Sequence, residues 1–200
     1  MLIYDDSFTD AMTATEREAT ALGAHLYGSE HVLLGLLAQG GPLTGDVTSV
    51  ATTVSYEAVR DAVVNADDDA PLLRNLGLST VATQVAETPP ARRTPRKRHA
   101  SELQSALNTA SAKWGQLRKG GQLPRETRLS STVLWLAVLE PAARASRILQ
   151  TLDADLDEVR AAVLASAAAP GPAPSWPTEV RTGPVTRLVH LLFNRRSTSA

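Results

Sequence analysis

The fold of this chain is decided by one stretch, Gly28-Ser29-Glu30-His31-Val32-Leu33-Leu34-Gly35-Leu36-Leu37. A serine and a glutamate stand where a helix would begin, and from Val32 onward the residues are apolar almost all the way round. A helix of that kind is buried on most of its sides. The stretch therefore predicts a central helix enclosed by other elements.

Amphipathic segments on both sides of this stretch predict the helices that enclose it. Before it, apolar residues recur at helical spacing over residues 8–22, and Asp5 or Asp6 is placed to cap the start. After it, a weaker helical segment runs over residues 46–52, and Ser55 caps a further amphipathic helix. The first lobe is therefore predicted to have four helices.

The second half of the chain repeats the plan of the first. Residues 55–63 align with residues 155–163 in their cap, apolar face and arginine. Residues 29–37 align with residues 131–139, so that Ser131 lies over Ser29. Together with an aromatic content of 4%, which suits closely packed helices, the repetition predicts an all-α fold of two pseudo-repeated four-helix lobes.

Composition divides the chain into four parts. They are repeat one at residues 1–65, a connector at 66–93, repeat two at 94–168, and a Pro/Ala-rich linker with a short amphipathic segment at 169–200. Thr94 and Pro95 are placed to start the first helix of repeat two, which also carries a basic, glycine-rich insertion at residues 116–128. The amphipathic segment 185–193 is too short to be stable alone, so we expect it to dock on its own domain rather than to anchor in a membrane.

Charge is distributed unevenly along the chain. Residues 1–90 hold 3 arginines against 13 acidic residues, a net charge of −10, and residues 91–200 hold 17 basic against 8 acidic residues, a net charge of +9. The two halves either face one another, face different partners, or are simply solvated.

Several classes of chemistry are excluded by residue content. The chain has no cysteine, which excludes disulfides, thiolate metal sites and cysteine nucleophiles. It also has no nucleophile elbow, and His25 and His31 have no third metal ligand at a useful spacing. We therefore expect a protein that is not an enzyme, with no catalytic residues, metal or cofactor.

The first residues of the chain and the hydropathy of the whole sequence indicate where in the cell the protein is expected. Residues 1–6 carry acids where a signal peptide needs a basic region, and no apolar run approaches the ~20 residues of a membrane span. With the absence of cysteine, this predicts a cytoplasmic protein without membrane contact.

The sequence resembles the double-repeat N-terminal domain of the Clp-type AAA+ unfoldases, and within that family the ClpC branch. In repeat one the resemblance rests on residues 28–37 above all, and on Tyr4-Asp5, Glu18-Ala19 and Leu22-Gly23-Ala24-His25. In repeat two it rests on Thr94-Pro95-Arg96 and on Ser146-Arg147-Ile148-Leu149 through Leu164, so it covers residues 1–168. The expected Thr-Glu-His of repeat two reads Ser131-Thr132-Val133, which is a departure from the family.

This resemblance implies a binding function. No Gly-x-x-x-x-Gly-Lys-Ser/Thr loop is present, so the chain looks like a free-standing Clp N-domain without the nucleotide-driven motor. In the family this domain receives adaptors and substrates, among them arginine-phosphorylated proteins, and in actinobacteria it binds cyclic peptide antibiotics. The Ala- and Arg-rich composition is also actinobacterial in character. We therefore expect an adaptor-like protein or a decoy for such ligands.

Residues Ser29, Glu30 and His31 are the predicted ligand site. A hydroxyl at a helix N-terminus lies beside free backbone amides and favours an anion, and the resemblance implies that Glu30 pairs with a guanidinium, as for phosphoarginine. The alternative is that Ser29 simply caps the helix and that His31 is a packed, hydrogen-bonded histidine. In repeat two, Ser131 keeps the hydroxyl and could hold a bare anion weakly, whereas Thr132 replaces the carboxylate.

A basic run at residues 92–99 leaves a second function open. It could bind nucleic acid phosphate, although it lacks interleaved aromatic residues. Contact with the acidic first lobe or with an acidic partner explains it more simply.

Overall fold

Eight helices and four two-residue strands are found in the computed structural model, which describes residues 3–67, 98–123, 128–168 and 174–180. In the first lobe they are β1 (Ile3–Tyr4), α1 (Asp6–Ala21), β2 (Leu26–Tyr27), α2 (Ser29–Gln39), α3 (Pro42–Val50) and α4 (Tyr56–Asp67). In the second lobe they are β3 (Arg98–His99), α5 (Ser101–Lys119), β4 (Arg128–Leu129), α6 (Ser131–Val138), α7 (Arg144–Thr151) and α8 (Leu156–Ala167). The predicted all-α fold of two pseudo-repeated four-helix lobes is confirmed.

Local side-chain caps set two of the four helix starts in the first lobe. The Asp5 carboxylate accepts the Phe8 N–H at 3.0 Å, and the Ser55 hydroxyl accepts the Ala58 N–H at 3.1 Å. The third helix differs from its predicted range, because it begins at Pro42 instead of residue 46 and ends at Val50. Proline is tolerated in the first helical turn, where its missing N–H is not needed, so Pro42 starts this helix.

The first helix of the second lobe begins later than predicted. Arg98 and His99 are extended and pair with β2, and the Ala100 N–H donates to the Tyr27 carbonyl at 3.0 Å. These bonds keep the backbone out of a helix, so α5 begins at Ser101 and the predicted start at Thr94 and Pro95 is wrong for this helix. Thr94 and Pro95 themselves lie outside the described residues.

Two small parallel ladders interlock the lobes. In one, β1 pairs with β4, and in the other β2 pairs with β3, so each ladder joins a strand from each lobe. Each ladder is extended by one matching bond, from Asp5 N–H to Leu129 O and from Ala100 N–H to Tyr27 O, both at 3.0 Å. This equivalence places Ser131 at the position of Ser29, as the sequence alignment predicted.

The core is centred on α2 and α6. Their apolar residues are almost fully enclosed: Val32, Leu33, Leu34 and Leu36 in α2, and Val133, Leu134, Trp135, Leu136 and Val138 in α6. At Gly35 the backbone of α1 comes so close that an added Cβ would lie 2.6 Å from the Thr15 nitrogen. Residues 29–37 thus form the buried helix that their sequence predicts.

Residues 174–180 pack against the second lobe. Pro174 is buried, and Trp176 lies partly buried against the core. The amphipathic segment 185–193 lies outside the described residues. Among the helices that the structure describes, none combines the length and apolar character needed to cross a bilayer.

Candidate functional site

Ser29 links three helices from the two lobes. Its side chain is fully buried, its hydroxyl donates to the Glu102 carboxylate, and it accepts the Ala145 N–H at 3.0 Å. Glu102 also accepts the Arg144 N–H at 2.7 Å. Ser29 on α2 and Glu102 on α5 therefore cap the start of α7 together.

Glu30 and His31 are also buried, with exposed fractions of 5% and 2%. His31 Nδ1 lies 2.9 Å from Glu30 Oε1 and 3.2 Å from the Gly28 nitrogen. One ring nitrogen cannot donate and accept at once, and the shorter contact with the carboxylate is the stronger, charge-assisted bond. Glu30 Oε2 and His31 Nε2 are buried without a hydrogen-bond partner among the described residues.

The pKa of the Glu30 carboxyl is lowered. Burial raises this pKa, but hydrogen bonds from His31 and from the backbone N–H of Glu30 oppose it, together with the charges of His31 and Arg144. Their combined effect outweighs burial, so Glu30 is held as a carboxylate.

Ser131 and Thr132 lie at the start of α6, in the equivalent position of the second lobe, and both are partly exposed. The Ser131 N–H donates to the Ser7 hydroxyl at 3.0 Å, and that hydroxyl donates to Asp5 at 2.7 Å. The predicted site residues therefore form two sets at the starts of two different helices.

A groove of about 890 Å³ opens between α4 and α7. We call it the α4–α7 groove. Its lining residues are Ala58, Asp61, Ala62, Asn65 and Ala66 on α4, Glu102 on α5, and Ala142, Arg144, Arg147, Ile148, Thr151 and Leu152 in or beside α7. Alanine and aliphatic side chains provide its apolar surface, and carboxylates and guanidinium groups provide its charges.

The groove reaches the predicted site from the outside. Glu102 and Arg144 belong to its lining, and Glu102 accepts hydrogen bonds from both the Ser29 hydroxyl and the Arg144 N–H. Ser29 thus lies behind the groove wall. Sequence reasoning missed Glu102 because it started the helix at Thr94, and so did not place this carboxylate in the first turn of α5.

The groove also brings together the two oppositely charged halves of the chain. Asp61 comes from the acidic half, and Arg144 and Arg147 come from the basic half. Contact between the two halves was one of the alternatives that the charge distribution left open.

Two further sequence signals are the basic run at residues 92–99 and His25. Residues 92–97 of the basic run are outside the described residues, and the last residue of the run, His99, packs against Tyr27 with ring centroids 4.6 Å apart and the rings tilted by 52°. His25 is exposed. Within the described ranges, no group of three or more histidine or carboxylate side chains could hold a metal ion.

Comparison with known proteins identifies the fold. No family model matches the chain, and no curated protein matches its sequence. The solved N-terminal domain of the caseinolytic protease associated chaperone ClpD from Arabidopsis thaliana is similar, with a TM-score of 0.55 and 16% identity over 82% of this chain and 96% of that chain. This likeness establishes a Clp N-domain-like fold, and the ClpC branch suggested by the sequence stays a prediction.

Proposed function

We propose that this protein is a non-catalytic binding module that receives peptide segments of other proteins in the α4–α7 groove. The observation that carries the proposal is the groove itself, about 890 Å³ in volume, with apolar and charged lining residues at the junction of the two lobes. Clefts of roughly 300–1,000 Å³ with a few polar groups are typical ligand sites. A fold shared with a chaperone N-terminal domain is consistent with such a role.

The charges of the groove favour an arginine-phosphorylated peptide. Its phosphate is an anion that the guanidinium groups of Arg147 and Arg144 would bind. Its remaining guanidino N–H groups would donate to the carboxylates of Asp61 and Glu102. Apolar neighbours of the modified residue would pack on Ile148.

Ser29, Glu30 and His31 then act on the ligand indirectly. Ser29 holds Glu102 and the start of α7 in place, and the charge of Arg144 favours the carboxylate form of Glu30. Direct contact of a ligand with Glu30 would require it to be uncovered first, since it is 5% exposed. In the second lobe, Ser131 and Thr132 are proposed as a weaker anion site.

Titration calorimetry with an arginine-phosphorylated peptide and its unmodified counterpart tests this function. We expect the modified peptide to bind more tightly, and Arg147→Glu to weaken it by about tenfold or more, since one charge-assisted contact is replaced by a repulsion. Arg17→Glu makes the same charge change on the exposed surface of α1 and should leave binding unchanged. Equal binding of the phosphorylated peptide by the wild-type chain and Arg147→Glu would reject the groove as its site.

Clp adaptors and cyclic peptide antibiotics are further candidate ligands for the same titration. A decoy should compete with the N-domain of a Clp unfoldase for one ligand, whereas an adaptor-like protein should form a three-part complex with that unfoldase. Binding of DNA with a steep salt dependence, and of none of these ligands, would favour the nucleic-acid function of residues 92–99.

A further inference from the structure

A buried ion pair in the second lobe lies outside the site described so far. Lys113 on α5 and Glu140 after α6 are each 5% exposed, and the Lys113 ammonium lies 2.9 Å from both carboxylate oxygens. Removing two charges from water is unfavourable unless their remaining hydrogen-bonding capacity is satisfied. A third group is therefore needed beside the pair.

Trp176 supplies that group. Its indole N–H donates to Glu140 Oε1 at 3.0 Å, and the Lys113 ammonium lies 5.5 Å from the centre of the Trp176 ring. The indole thus donates to the carboxylate and offers its π face to the ammonium, which are two separate favourable interactions. Trp176 reaches this position from residues 174–180, beyond the end of α8.

The first lobe shows that the fold itself does not require this pair. Matching of the strands and helices places Glu18 at the position of Lys113 and Ala38 at the position of Glu140. Glu18 accepts a hydrogen bond from the Tyr56 hydroxyl at 2.7 Å, so that lobe is built without a buried lysine at this place. Of the two equivalent positions, only the one in the second lobe holds this Lys113–Glu140 pair. The pair contacts Trp176, which lies outside the helical repeat.

We propose that the second lobe carries a recognition site for an indole presented by an extended, proline-flanked peptide, and that residues 174–180 occupy it in cis. Pro174 and Pro177 flank Trp176 and favour the extended backbone that presents the ring. A cavity of about 520 Å³ continues from this segment along the end of α5, past Gln116 and Gln122, with room for further peptide residues. This site is independent of the α4–α7 groove and of the function proposed for it.

The test uses the full-length Trp176→Ala chain, whose site is vacant, and a fluorescent peptide with the sequence of residues 174–180. We expect this variant to bind the peptide at least about tenfold more tightly than the wild-type chain does, because the tethered segment competes at an effective concentration of about 1 mM. A peptide with phenylalanine in place of Trp176 should bind the variant about tenfold more weakly, because it lacks the N–H donor. A folded Trp176→Ala chain that binds neither peptide, or both equally, would overturn the proposal.

A second measurement on the unaltered chain covers the case in which Trp176→Ala does not fold. Proton exchange of the Trp176 indole N–H, followed by NMR, should be slow in the wild-type chain and should become faster when the unlabelled peptide is added in excess. An indole N–H that exchanges at the rate of a free tryptophan, or one that excess peptide does not affect, would contradict a displaceable segment in this site.

Discussion

At the scale of single residues, Ser29 connects α2 to helices of the other lobe. We expect Ser29→Ala to lower the free energy of unfolding by about 1–3 kcal/mol, because the partly buried Glu102 carboxylate and the buried Ala145 N–H each lose a partner. Urea denaturation followed by circular dichroism measures the change.

Ser131→Ala is the matched control, since Ser131 occupies the equivalent position and donates to Ser7 through its backbone N–H. That bond survives the substitution, and we expect the free energy of unfolding to change by no more than about 0.5 kcal/mol. Equal losses for the two variants would contradict a special role of the Ser29 hydroxyl.

The ionisation of Glu30 is a second prediction at this scale. Because folding lowers the pKa of this carboxyl below its ordinary value of 4.5, the charge stabilises the fold above that value, and the contribution is lost as pH falls through the lowered pKa. The difference in the free energy of unfolding between the wild-type chain and Glu30→Gln should therefore be largest at neutral pH and shrink below pH 4.5. Denaturation of both chains at a series of pH values measures it, and an advantage that grows in acid would refute the assignment.

At the scale of elements, the packing of α1 on α2 depends on Gly35. An alanine there would bring its Cβ to 2.6 Å from both the Thr15 nitrogen and the Thr15 hydroxyl, and backbone atoms cannot move aside without separating the helices. We expect Gly35→Ala to destabilise the protein by about 1–3 kcal/mol, measured by thermal or urea denaturation.

Gly45 in α3 provides the opposite case. An added Cβ at Gly45 has no neighbour within 4 Å in the described part of the chain, so Gly45→Ala should gain helix propensity and stabilise the protein by about 0.5–1 kcal/mol. If both substitutions were stabilising, close helix contact at Gly35 would be excluded.

At the scale of the whole molecule, the two strand pairs, β1 with β4 and β2 with β3, couple the two lobes. Trp114, Trp135 and Trp176 all belong to the second lobe or to the segment packed on it, so their fluorescence reports on that half. The Thr53 hydroxyl further binds the Leu152 carbonyl across the lobes. We expect Gly35→Ala, a first-lobe change, to shift the tryptophan transition to lower urea concentration together with the circular dichroism transition.

Lobes that unfold separately would give a different result. The tryptophan transition would then stay in place while part of the circular dichroism signal moved, and that outcome would contradict a single cooperative unit.

The sequence by itself determined the helical class, the repetition and most helix starts. Asp5, Ser55 and Asp155 cap helices as predicted, and residues 28–37 form the buried helix. These features were predictable because a cap acts within three residues and an apolar period is a property of one segment.

The start of α5 and the surroundings of the predicted ligand site were decided by tertiary structure. Strand pairing with β2 overrode the local start signal at Thr94 and Pro95, because ladder bonds come from residues about seventy positions away. The spacing that suggested an anion site at Ser29 could not reveal that the start of α7 occupies its hydroxyl. Likewise, the α4–α7 groove and the Trp176 contact exist because the fold brings distant segments together, and the local pattern of a sequence contains no information on such pairings.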